Sequence, residues 1–215
     1  MFQEALAKWQ SYRGLWGPPA SPVQLWTDGA RGIWIADSWG PAVPYPAVDH
    51  EDGNRNSGYV RVKGDPETVA RIPEAQGWPE LQDFLLAVNA AQSPIESVGC
   101  EKGFSPSDVE GPTEKLGSYI DVILTDLARN AAPENLLLLA SNLLPSVAGC
   151  EKWWSNVEMC LQPMRFLSGT VSPWGLMVRV TGYGRGQDEA RKWWGETMGR
   201  LTKAVGKLPP DLSAP

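Results

Sequence analysis

The chain has 215 residues and a mass of 23.5 kDa, with 42% hydrophobic and 20% charged residues, a composition that suits one globular domain or two small ones and excludes a largely disordered chain. A net charge of -6 and an isoelectric point near 4.9 disfavour nucleic acid as a ligand, because neutralising phosphates needs a clustered positive face. One His and three Cys (Cys100, Cys150, Cys160) imply no metal or cofactor, and no apolar run approaches the roughly 20 residues that cross a bilayer.

The start, Met1-Phe2-Gln3-Glu4-Ala5-Leu6-Ala7-Lys8-Trp9, lacks the basic and then apolar pattern of a secretory signal. With an odd thiol count, this leads us to expect a cytoplasmic protein with reduced cysteines. Phe2, Leu6, Trp9, Tyr12 or Arg13, and Trp16 predict a short amphipathic helix, stopped by Gly17-Pro18-Pro19. A first strand is expected over Gly32 to Gly40, followed by an irregular loop with Pro41, Pro44 and Pro46. Gly58 to Gly64 alternates and predicts a second strand. Asp65-Pro66 has the residues of an N-cap and first helical position. A helix from Pro79 carries Leu81, Phe84, Leu85 and Val88 on one face.

A similar order follows twice. Ile95 to Phe104 predicts a strand, 105 to 115 a polar loop, Ser118 to Asp126 a strand, and Pro133 to Leu144 a Leu-rich helix. Then 147 to 162 reads as extended, a loop holds Gly169 and Pro173, Gly175 to Tyr183 is a strand, and Asp188 to Val205 a helix. The expected class is α+β, a largely antiparallel sheet with helices packed on one face. It forms one domain over 1–207 or two lobes, 1–92 and 93–207, with a flexible tail at 208–215. Gly99-Cys100-Glu101-Lys102 recurs as Gly149-Cys150-Glu151-Lys152, weak support for duplicated strand–strand–helix units.

Three motifs invite chemistry and fall short of it. Gly182-Tyr183-Gly184-Arg185-Gly186 is a glycine-rich strand-to-helix turn, yet no Lys-Ser or Lys-Thr follows it and the Rossmann spacing is missing. Asp49 to Asn54 places its glycine wrongly for a calcium loop. His50, the sole imidazole, has no partner that would orient it for proton transfer. No pair among the 25 acids is singled out as a hydrolytic pair. A non-enzymatic protein is the expectation.

Tryptophan and charge are the informative features. The 11 Trp exceed what an ordinary core needs. Trp153-Trp154 reads as part of a strand, where neighbours face opposite sides, so one ring should point outward. Exposed aromatics favour a binding surface. Residues 49–126 hold 15 acidic against 6 basic residues. Their densest stretch has Glu101, Asp108, Glu110 and Glu114 opposed only by Lys102 and Lys115. Such a patch is a solvated surface or an attractor for a basic partner. A nuclease is one such partner, because its active face is positive.

With Trp34-Ile35-Ala36-Asp37-Ser38-Trp39-Gly40-Pro41 and Gly77-Trp78-Pro79, the chain resembles the immunity proteins of bacterial polymorphic toxin and type VI secretion systems. The likeness is to the immunity family numbered fifty-two, which pairs with toxins of restriction-endonuclease-like fold. The resemblance implies a protein that neutralises a cognate toxin in bacterial competition. Glu101, Asp108, Glu110 and Glu114 would flank the toxin's basic cleft, and Trp153 or Trp154 would anchor the contact. The rival readings are a Trp-rich carbohydrate or small-ligand module, a hydrolase built on scattered carboxylates, and an effector adaptor or chaperone.

Overall fold

A computed structural model describes residues 1–51, 53, 55–167 and 173–212. In chain order the elements are α1 (Phe2–Gln10), β1 (Val23–Asp28), β2 (Arg31–Ile35), β3 (Ala42–Val43), β4 (Val48–Asp49), β5 (Arg55–Asn56), α2 (Pro66–Val69), α3 (Pro79–Val88), β6 (Ile95–Pro106), β7 (Glu114–Leu124), α4 (Pro133–Leu143), β8 (Ser155–Pro163), β9 (Arg165–Phe166), β10 (Trp174–Gly184) and α5 (Gln187–Val205). One six-stranded sheet runs β1-β2-β8-β10-β7-β6. Only the β2–β8 pair is parallel within it. The fold is α+β, with no described helix long and apolar enough to cross a membrane.

Period-two alternation sorts each long strand into two faces. In β7, Leu116, Ile120, Val122 and Leu124 face the helices with Ser118. In β10 the same side carries Leu176, Val178 and Val180, and in β8 Val157, Met159 and Leu161. The helices complete this layer. Leu81, Phe84, Leu85 and Val88, the face expected of α3, are all buried. The core they form runs from Ala5 to Leu212 and includes residues on both sides of position 92.

α5 lies against β10 more closely than side chains would permit. A Cβ on Gly182 would sit 2.4 Å from the Ala190 carbonyl oxygen and the Trp194 nitrogen, and one on Gly184 2.4 Å from the Ala190 nitrogen. The glycines of the strand-to-helix motif therefore serve helix–sheet contact. Trp194, fully buried, donates its indole N–H to Ser118 Oγ at 2.8 Å. Trp78 meets Trp194 edge-on at 5.7 Å and carries Lys102 and Arg191 over its ring at 4.7 and 4.4 Å.

Several expectations need correction. The first helix stops at Gln10, and Trp16 stands 97% exposed beyond it. The first strand ends at Ile35 and pairs with β1, whose alternation is masked by an irregularity between Gln24 and Trp26. Gly58 to Gly64 is not a strand. Its alternation serves a strap instead: Tyr59 packs on Val43, Val98, Ile123 and Met164, while Arg61 bonds Glu96 at 3.2 Å. Lys63 donates to the carbonyls of Ser93 and Ile95, each at 2.6 Å.

Residues 144–147 and 150–153 form short 3-10 turns, so 147–154 is not extended. Gly99–Lys102 lies in β6 whereas Gly149–Lys152 lies in a left-handed bend and 3-10 turn. The two tetrapeptides thus do not mark equivalent elements. Part of the segment read as a loose tail is packed: Leu212 is buried, and Arg129 donates to the Asp211 carbonyl at 2.8 Å. Gly169 and residues 213–215 of the expected loop and tail lie outside the described residues, as do Asp52 and Asn54 of the suspected cation loop.

Candidate functional site

The helices cover one side of the sheet. The strap of residues 36–51 and 55–62 covers one end of the other side through the small core of Val43, Val98, Ile123 and Met164. The remainder of that side is open and its residues fall in rows set by strand register. One row reads Glu101, Tyr119, Arg179, Glu158 and Gly32 across β6, β7, β10, β8 and β2. Within it, the Tyr119 hydroxyl donates to Glu101 Oε2 at 3.2 Å, and Arg179 Nη1 donates to Glu158 Oε2 at 3.4 Å. The neighbouring row reads Gly103, Gly117, Thr181 and Asn156. A Cβ on Gly103 or Gly117 would meet nothing within 4 Å, so bare backbone floors a shallow trough.

Alternation also redistributes charge. Lys102, adjacent to Glu101 in sequence, projects to the helical side and sits over Trp78. It does not neutralise the open face. Burial lowers its ammonium pKa, opposed by Cys100 and nearby carboxylates. Lys115 is on the open side with its ammonium 2.9 Å from Asp108, and that contact lowers the Asp108 pKa.

The six residues singled out from sequence divide into three groups. Asp108 and Glu110 are exposed on the β6–β7 turn, and Trp154 joins them: its ring lies 3.6 Å from where a Cβ on Gly111 would sit. Trp154 is 50% exposed, held by a left-handed backbone (φ 47°) at the end of a 3-10 turn rather than by strand alternation. Its carbonyl accepts from Tyr183 N at 2.7 Å, which holds its backbone at the end of β10. Glu101 stands on the open face beside Tyr119. Glu114 and Trp153 fall elsewhere. Glu114 shares the helical side of β7 with Leu116, and Trp153 packs on the core with Arg200 over its ring at 4.0 Å.

Two concavities flank Tyr119. One, about 490 Å³, includes Trp34, Cys160, Glu158 and Arg179. The other, about 790 Å³, lies between the strap and the ends of β6 and β7 and includes Tyr45, Glu74, Gly99 and Asp121. Asp121 is 4% exposed. Gln162 donates its amide to one carboxylate oxygen. Burial pushes this carboxyl up to about 7, against the pull of the Gln162 hydrogen bond. Burial also raises the thiols of Cys100 and Cys160 to about 12, which leaves neither as a thiolate nucleophile near neutral pH. Sequence reasoning missed Asp121 and this cavity. The available signal was an acid inside the apolar run Tyr119-Ile120-Asp121-Val122-Ile123-Leu124.

No protein family, curated protein or solved structure matches the chain.

Proposed function

We propose that this chain is a non-catalytic docking protein of the immunity type, which neutralises a basic bacterial toxin, a nuclease effector of a type VI secretion system being the leading candidate. The observation that carries the reading is the open side of the sheet. Helices leave it bare, glycines floor it, and Glu101, Glu158 and Tyr119 stand on it with Asp108, Glu110 and the Trp154 ring at its border. A mixed surface of carboxylates and partly exposed aromatic rings suits a cationic protein partner. Charge speeds encounter and selects the partner, and buried rings hold it.

The acidic groups on this side are paired loosely. Asp108 with Lys115 and Glu158 with Arg179 are partly exposed contacts, worth little to folding and readily exchanged for a partner's cations. Arg179 lies between Tyr119 and Glu158 in the register row and offers the one strand-borne cation of that row, a point of selectivity against a uniformly basic surface.

Growth rescue tests the reading. The protein encoded by the neighbouring reading frame is expressed in a sensitive host with and without this chain. Protection of growth, with a stable complex recovered from the cells, is the expected result. Toxicity that this chain does not relieve, with no complex, contradicts the proposal.

A further inference from the structure

We propose that the cavity between the strap and the ends of β6 and β7 binds an organic cation of the alkylguanidinium or alkylammonium kind, seated above Gly99 between Asp121 and Tyr45. The site does not depend on the docking reading.

Its geometry begins with an absent side chain. Gly99 and Asp121 are register partners on β6 and β7. A Cβ on Gly99 would lie 3.5 Å from Asp121 Oδ2 and 3.5 Å from the Tyr45 hydroxyl oxygen. Glycine thus leaves a gap that two acceptor oxygens border, and a donor placed in it reaches both. At about 790 Å³ the enclosing cavity is of the size that holds small ligands.

The charge arrangement selects the sign of the guest. The sheet floor contributes Asp121 and Glu101 and no cation, since Lys102 turns to the other side. Glu74 stands on the wall of the same cavity. Three carboxylates thus serve one space. Arg55 and Arg71 also line the cavity, but each is engaged elsewhere: Arg55 pairs with Asp49 at 3.4 Å, and Arg71 Nε donates to the Glu67 carbonyl at 3.1 Å. The rings of Tyr45 and Tyr119 add faces that attract cations.

Asp121 supplies an independent indication. It is almost wholly buried, yet among the described residues only Gln162 donates to it, and to the other oxygen. Oδ2 borders the gap at Gly99 and can accept from a guest. A guest cation would supply a donor and a charge to it.

The test uses the isotope-labelled full chain in buffer more basic than the Asp121 titration. Agmatine, an alkylguanidinium, is titrated against N-butylurea, a neutral control, while amide signals of Gly99, Tyr45 and Asp121 are followed by NMR. Saturable shifts with agmatine and none with N-butylurea are expected. Gly99→Val, which fills the gap, should abolish them. Asp121→Asn should weaken binding about tenfold or more. Each variant is checked for an unchanged amide spectrum elsewhere, so that loss of fold is not read as loss of binding.

A capped Gly-Arg-Gly peptide separates two sources of the same chemistry. Tighter binding of the peptide assigns the site to a side chain of a protein partner, and tighter binding of agmatine to a free amine. Either ordering supports the site. Equal shifts with N-butylurea, no saturable shift with either cation, or agmatine binding retained by Gly99→Val overturns it. None of these outcomes depends on the growth-rescue result, so the two proposals fail separately.

Discussion

Gly103 and Gly117 stand opposite each other on neighbouring strands of the sheet's open side, and neither would encounter another atom within 4 Å if it carried a Cβ. Glycine inside a strand costs about 0.5–1 kcal/mol relative to a residue with a side chain. Both positions leave open space above the strand on the exterior side. Gly117→Val is expected to raise the melting temperature slightly, because a β-branched residue suits a strand. It should also weaken partner binding by obstructing the trough. Thermal unfolding and calorimetric titration check the two effects. A variant that is more stable and binds equally well would show that the trough is not part of the interface.

Charge reversal separates the acids that sequence grouped together. Glu101→Lys alters the open face, whereas Glu114→Lys alters the helical side of β7. The first should slow association with a basic partner roughly tenfold at low salt. The second should have a much smaller effect. Stopped-flow association at several salt concentrations measures both, and equal slowing by the two variants would contradict the assignment of sides.

Asp121 should make stability depend on pH. Its native carboxyl is lifted by burial to about 7, from 3.8 when unperturbed. The native state therefore keeps this proton over a range where the unfolded chain has released it. Its contribution is present in full below the unfolded value and is lost as pH rises from about 4 through 7. Asp121→Asn removes that loss and should be more stable than the parent above pH 7 by on the order of 2 kcal/mol, with the difference shrinking towards acid. Urea unfolding across this range provides the comparison.

Gly182 has no room for a methyl group. An added Cβ would lie 2.4 Å from backbone atoms of α5, and backbone cannot rotate aside. Gly182→Ala should destabilise the fold by about 3 kcal/mol, at the upper end of overpacking costs, read from the urea midpoint. Gly186→Ala, which meets nothing within 4 Å, is the control and should change little.

Periodic features were legible in the sequence because they need only local information. The buried face of α3 follows from spacing alone, and Asp65 caps α2 by accepting from Thr68 N at 3.0 Å as its residue type implies. The strands expected over Ile95 to Phe104 and Gly175 to Tyr183 form as β6 and β10. Pairing over long separations was not legible. The parallel contact of β2 with β8 unites segments distant in the chain, and no local pattern encodes it.

The same limit hid the cavity. It exists because Val43 and Tyr59 of the strap pack on Ile123 and Met164, and Gly58 to Gly64 looks like a strand until that packing is known. Trp153 and Trp154 were separable in principle but for the wrong reason. A left-handed turn, not alternation, sends Trp154 outward. The acids clustered in sequence likewise divided between the two faces once β6 and β7 were in register.

The most direct test of docking on the open side is amide hydrogen exchange of this chain alone and in complex with the protein from the neighbouring reading frame. Protection should concentrate on β6, β7 and β10 around Glu101, Gly117 and Thr181, and extend to the 107–112 turn and Trp154. Protection centred on α1 and α4, or an exchange pattern unchanged by that protein, would contradict it.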